Sequence, residues 1–194
     1  MVGSQITDKP GDKLLSRLVV LRRWFHQHPE LAFEEVDTAR KIIAELERLE
    51  IACDYAGVGH AVIGRIPGCD TGKKAIGLRA EMDALPGKES TGASYASMFP
   101  GKMHACGHDV HITSLVGTAR HMAARKEEWN GTLMLIVQPA EERVLGARAM
   151  RDDDVWVRFG KPDYALAFHV NSLDVAGKVN ITEGSPFAGA DTVD

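Results

Sequence analysis

Gly131-Thr132-Leu133-Met134-Leu135-Ile136-Val137 runs directly into Gln138-Pro139-Ala140-Glu141-Glu142. A nearly continuous apolar run of this kind suits a central strand covered on both faces. Adjacent glutamates beyond it face a choice of roles, because neighbouring side chains diverge. One can bind a metal while the other meets substrate as a general base. The bland alternative is a solvated acidic start to a helix over about 142–150. Pro139 and the buried strand before the pair favour the functional reading.

Upstream lies Met103-His104-Ala105-Cys106-Gly107-His108-Asp109-Val110-His111, which packs three histidines, a thiol and a carboxylate into one short run. Imidazole, thiolate and carboxylate are the donors that bind zinc-like divalent ions, and a core does not bury such groups without partners. In an extended segment, residues i and i+2 project to one side. Cys106 and His108 can therefore reach one ion or one ion pair. Taken alone, that pair reads as an inert cysteine and a capping histidine; Glu142 and His169 turn the balance toward a metal site. His169 follows the strand-like run 165–168, in a place where a lone histidine is as often a core residue as a ligand. Asp83 ends another strand-like stretch and can orient the base or a ligating imidazole. Glu81 is its same-face neighbour, with a less certain role. His104 faces substrate or holds a loop, and His111 stands one helical turn after His108. His26 and His28 flank a helix end before Pro29, where capping or surface roles are expected; His60 and His121 read as surface residues.

Helical spacing of Leu14, Leu18, Leu21 and Phe25 predicts a first helix over 12–27, ended by Pro29. A second is expected over about 34–50, with Val36, Ala39, Ile43 and Leu46 inward and the acidic Glu34-Glu35 at its start. Strands are expected at 51–55, 61–66 and 75–79, the last two separated by a hairpin or short loop at 67–72. The segment 86–100 reads as a loop over a site. A third helix begins near Asp109 and buries Ile112, Leu115, Val116 and Ala119. Further strands are expected at 165–170 and 178–182. Alternating strands and long helices imply a layered α/β domain.

The chain has 194 residues, 44% hydrophobic and 26% charged, with a net charge of −4. That size supports one substantial core. The acidic balance argues against nucleic acid, and no apolar run reaches membrane-span length. No secretory signal core stands at the N-terminus, so a cytoplasmic protein is expected. Cys53, Cys69 and Cys106 are too few and too scattered for a disulfide framework. Cys53 reads as a small buried hydrophobe and Cys69 as an incidental turn residue.

His26-Gln27-His28-Pro29-Glu30-Leu31, the stretch 78–86 around Glu81-Met82-Asp83, the run 104–111, Gln138 to Glu142 and Phe168-His169-Val170 together resemble the metal-dependent amidohydrolases that cleave N-acyl amino acids. These are the hippurate hydrolase and indole-acetyl-amino-acid hydrolase type, within the dinuclear metallopeptidases. The resemblance runs from about residue 14 to the end. It implies an α/β/α catalytic domain of the zinc-peptidase type, here incomplete. On this reading 1–11 is a flexible N-terminus, 12–182 the N-terminal part of the catalytic domain, and 183–194 the truncated start of a lid or dimerisation domain. It further implies two divalent ions, zinc or manganese foremost, with cobalt or nickel also compatible. Cys106 would bridge them, His108, Glu142 and His169 would be ligands, Glu141 the general base and Asp83 the orienting carboxylate. The implied partner is a small N-acyl amino acid, with no nucleic acid or membrane, and the full-length protein would be a homodimer. A further histidine ligand is implied from the distal part of the domain, so the 194 residues are expected to be inactive alone. The rival readings are a dipeptidase or carboxypeptidase on the same scaffold, and a non-catalytic metal-binding fragment. The chain departs from the family pattern at Glu81, where Asp is commoner, at Arg143-Val144-Leu145, where glycines are more usual, and at Asn171-Ser172, where aromatic residues and proline are.

Overall fold

A computed structural model describes residues 11–173, 175–181 and 183–184. The expected flexible segment 1–11 and lid start 183–194 therefore lie almost wholly outside the described residues. In chain order the elements are α1 (Asp12–Gln27), α2 (Val36–Glu47), β1 (Ala52–Tyr55), β2 (Val62–Pro67), β3 (Ala75–Glu81), β4 (Leu85–Pro86), β5 (Lys102–Met103), α3 (His108–Ala124), β6 (Thr132–Gln138), α4 (Gly146–Asp152), α5 (Val155–Phe159) and β7 (Tyr164–Ala167).

The main sheet has the order β1-β2-β6-β3-β7. β1 with β2 and β2 with β6 are antiparallel, whereas β3 runs parallel to both β6 and β7. β6 is the central strand its composition demands. Its side chains alternate between two cores. Leu133, Leu135 and Val137 join Leu21, Phe25, Ala39, Ile42, Leu46, Ile112 and Leu115 under α1, α2 and α3. Met134 and Ile136 join Ile63, Met150 and Val155 under α4 and α5. The result is the expected α/β/α layering. On α2 the fully buried isoleucine is Ile42, and Ile43 is only partly buried.

Four expectations need correction. Of the hairpin or short loop expected between β2 and β3, only the short loop stands, because β6, apolar on both sides, takes the place between the two strands. The second helix, expected from about residue 34, begins at Val36, and the carboxylate that meets its first amides is that of Glu30, which accepts from Asp37 and Thr38 at 3.1 and 2.8 Å. Glu35 turns inward instead. The helix expected over 142–150 begins only at Gly146, because Ala140 (φ 48°) and Val144 (φ 56°) occupy the left-handed region and form a tight turn. In that turn Val144 N–H donates to Glu141 O at 2.7 Å, and Gly146 N–H to Ala140 O at 3.1 Å. Finally, residues 178–181 form no strand; Val179 and Ile181 are 72% and 93% exposed, and Thr182 lies outside the described residues.

The parallel register Ala75↔Thr132 to Glu81↔Gln138 brings the C-terminal ends of β3 and β6 level, with β7 alongside β3. The N-terminus of α3 faces these ends. β7 is exposed along its length, with Tyr164 and Leu166 open to solvent. No described helix is long and apolar enough to cross a membrane.

Candidate metal centre

α3 starts at His108 because Gly107, at φ 94°, turns the chain sharply into the helix. That turn needs glycine twice over. A β-carbon there would be strained by the backbone and would stand 2.4 Å from Val170 Cγ2. Gly107 thus lets the segment after β7 close onto the segment before α3. Cys106, His108 and His169 come together as a result, with donor atoms within 4.8 Å of one another. The Cys106 thiol lies 3.3 Å from His169 Nε2.

His108 is fully buried. Its Nδ1–H donates to the Asp83 backbone carbonyl at 2.8 Å, with the Asp83 carboxylate also 3.3 Å away. This fixes the tautomer and turns Nε2 toward the acids, 3.6 Å from Glu141 Oε2 and 3.8 Å from Glu142 Oε1. Burial works against a charged His108, but the Asp83 and Glu81 carboxylates outweigh it and hold its pKa above the ordinary value.

Asp83 does more than orient an imidazole. Its Oδ2 accepts the Glu142 amide at 2.9 Å, so the end of β3 sets the turn that follows β6. From the other side Glu35 Oε1 accepts the Ala140 amide at 2.8 Å. Burial pushes Glu35 up to about 7, the Asp83 charge reinforcing it against the backbone donors. The glutamate pair is therefore held between two buried carboxyl groups, one per side. The structure brings all six expected residues, Asp83, Cys106, Glu141, Glu142, His108 and His169, to one place.

The remaining histidines divide. His111 donates from Nδ1 to Glu81 at 2.7 Å and accepts the Val170 amide at Nε2, 3.0 Å away. His26 takes neither the capping nor the surface role expected of it. It is buried, bonded to Asp109 at 2.7 Å and to Glu89 at 3.2 Å, and so ties the 86–100 loop to α3 beside His108. Direct hydrogen bonding to Asp109 keeps its pKa above normal despite burial. His104 is also buried, and burial lowers it to about 4. His28 caps α1, bonding Trp24 O at 2.7 Å and stacking on that ring. Cys53 is partly buried in β1, and Cys69 is exposed. Glu35 was read from the sequence only as an acidic helix start, and its part in holding the Ala140 amide was missed; the available signal was a second acid, Glu30, spaced to meet the helix amides instead.

The donor set fits divalent metal. His108 Nε2 and Glu142 Oε1 are both buried and lack a hydrogen-bond partner, yet they point at each other across a space an ion would fill. Burial pushes the Cys106 thiol up to about 12, reinforced by its hydrogen bond to Glu142 and by the Glu141 and Glu81 charges. Such a concentration of acid beside a thiol is costly alone and favourable around a cation.

The sequence pattern of peptidase family M20/M25/M40 matches residues 77–185. The chain is 39% identical to the N-acetylcysteine deacetylase of Bacillus subtilis, over 91% of this chain and 46% of the relative. It is 36% identical to an IAA-amino acid hydrolase of Arabidopsis thaliana, over 89% and 39% respectively. With the hippurate hydrolase of Campylobacter jejuni the figures are 38%, 89% and 44%. Among solved structures it is similar to a Bacillus subtilis dinuclear metal-binding peptidase, with a TM-score of 0.78 and 39% identity over 84% of this chain and 44% of that one. The chain spans less than half the length of each of these relatives.

Proposed function

The chain belongs to the M20/M25/M40 peptidase family, and from that premise we propose that the full-length protein is a metal-dependent amidohydrolase that cleaves N-acyl amino acids. The observation that carries this is the facing of His108 Nε2 and the Glu141 and Glu142 carboxylates across less than 4 Å, with Cys106 and His169 donor atoms within 4.8 Å of a His108 nitrogen. Relatives that act on N-acetylcysteine, IAA-amino acid conjugates and hippurate support the substrate class.

In this reading Cys106, His108, Glu142 and His169 hold two ions. Zinc suits the thiolate and imidazoles, and manganese, cobalt or nickel is compatible with the carboxylate. Bound divalent metal lowers the pKa of water to near ~7 and polarises a carbonyl. Asp83 holds His108 and the Glu142 amide. Glu141, more exposed than Glu142 (38% against 19%), is the base that takes a proton from the attacking water and returns one to the leaving amine. The 194 residues alone are proposed not to turn over, and the full-length protein to be a homodimer.

Elemental analysis of protein purified without chelator, paired with assays of N-acyl amino acids and dipeptides, tests the reading. Divalent metal that is lost in Cys106→Ser, with faster turnover of the N-acyl amino acids, is expected. A metal-free protein after incubation with zinc or manganese would sink it. Faster dipeptide cleavage would reassign the substrate.

A further inference from the structure

His169 and Val170 lie beyond the last residue of β7, in an exposed stretch of chain. A ligand presented from such a stretch needs to be tied down. Val170 N–H donates to His111 Nε2 at 3.0 Å. Because that nitrogen accepts, the ring proton sits on Nδ1, which donates to Glu81 Oε2 at 2.7 Å. Both nitrogens of His111 are spent, so it is no metal ligand despite lying among the donors. Glu81 in turn is gripped by Arg79 Nη1 at 2.5 Å, and Arg79 Nε donates to Gln138 Oε1 at 2.9 Å. His111 and Glu81 are both buried, and the His111 ring packs edge-on against His169 with centroids 4.7 Å apart.

We propose that Glu81 and His111 are positioning residues that fasten the His169-Val170 backbone to α3 and so deliver His169 to the metal centre. The relay runs from the end of β3 through one helix side chain to the amide that follows the ligand. Val170 is seated against Gly107 between Cys106 and His108, so fixing Val170 fixes His169 relative to the other two donors. Glutamate at position 81 matters because one carboxylate meets Arg79 and His111 at once. Aspartate, one methylene shorter, would give up one of them.

The inference rests on the metal-centre reading, and the test separates the two. Zinc affinity is measured on the full-length protein for wild type, His111→Ala, His169→Ala and the double variant, with unfolding of the metal-free proteins measured in parallel. His111→Ala is expected to weaken zinc binding about 10–100-fold and to add no further loss in the His169→Ala background. His111→Gln, whose side-chain oxygen can accept the Val170 amide, is expected to restore most of the affinity; His111→Asn, too short to reach, is not. If His111→Ala fails to fold, the Gln–Asn comparison carries the test. Equal losses with and without His169, or equal affinity for Gln and Asn, would overturn the relay and leave the metal centre standing. A wild type that binds no zinc would overturn the metal centre itself.

Discussion

The Asp83 carboxylate accepts the backbone amide of Glu142 at 2.9 Å, so two strands that are neighbours in the sheet are also locked at their ends. Asp83→Ala leaves that amide with no acceptor and should lower the stability of the metal-free protein by about 1–3 kcal/mol. Asp83→Asn keeps an acceptor but removes the charge beside His108. It should retain most of the stability while losing about 10–100-fold in metal affinity. Urea unfolding and zinc titration of both variants check this; equal stability of Ala and Asn would count against it.

Glu141→Gln in the full-length protein should keep its metal content and lose about 10²–10⁴-fold in kcat. Elemental analysis alongside an N-acyl amino acid assay measures both. Retained turnover would remove Glu141 from the role of base.

Val144 is a β-branched residue at φ 56° and is 65% exposed, so it has little packing to lose. The left-handed conformation costs an L-residue about 1–2 kcal/mol, partly offset by glycine's greater chain entropy. Val144→Gly should therefore stabilise the protein by about 0.5–1 kcal/mol. A lower unfolding midpoint in the glycine variant would refute this.

Glu35, raised to about 7 by burial, holds a proton in the folded state that the unfolded chain has already released. Its contribution to stability is complete below the ordinary glutamate range, near pH 4.5, and falls as pH rises toward 7. Glu35→Gln cannot release that proton. Between pH 5 and 8 the wild type should lose up to about 3 kcal/mol relative to the variant. Chemical unfolding at several pH values gives the difference; a gap that does not change with pH would contradict the assignment.

The sequence revealed what depends on side-chain period and donor chemistry. The apolar run ending at Val137 had to be a central strand, and its parity sorted Leu135 and Ile136 into separate cores. Cys106, His108 and the glutamate pair stood out because such donors are rarely grouped in sequence, and the structure brings them close together. Pairing order was hidden, since nothing in β2 or β3 alone says that β6 comes between them. The acids at 141 and 142 looked like a helix start because the left-handed turns at Ala140 and Val144 leave no mark in composition. His26 read as a capping or surface residue because its partners, Glu89 and Asp109, lie far along the chain.

The insertion of β6 between β2 and β3 also sets a timetable for synthesis. Neither strand can complete its pairing until the ribosome has released Gln138. At about 5–20 residues per second, the nascent chain carries an open edge on β2 and an unpaired β3 for several seconds. Arg65 on β2 and Arg79 on β3 place a charge on each, the kind of residue that discourages neighbouring nascent chains from pairing there. In the finished fold the Arg79 charge is met by Glu81.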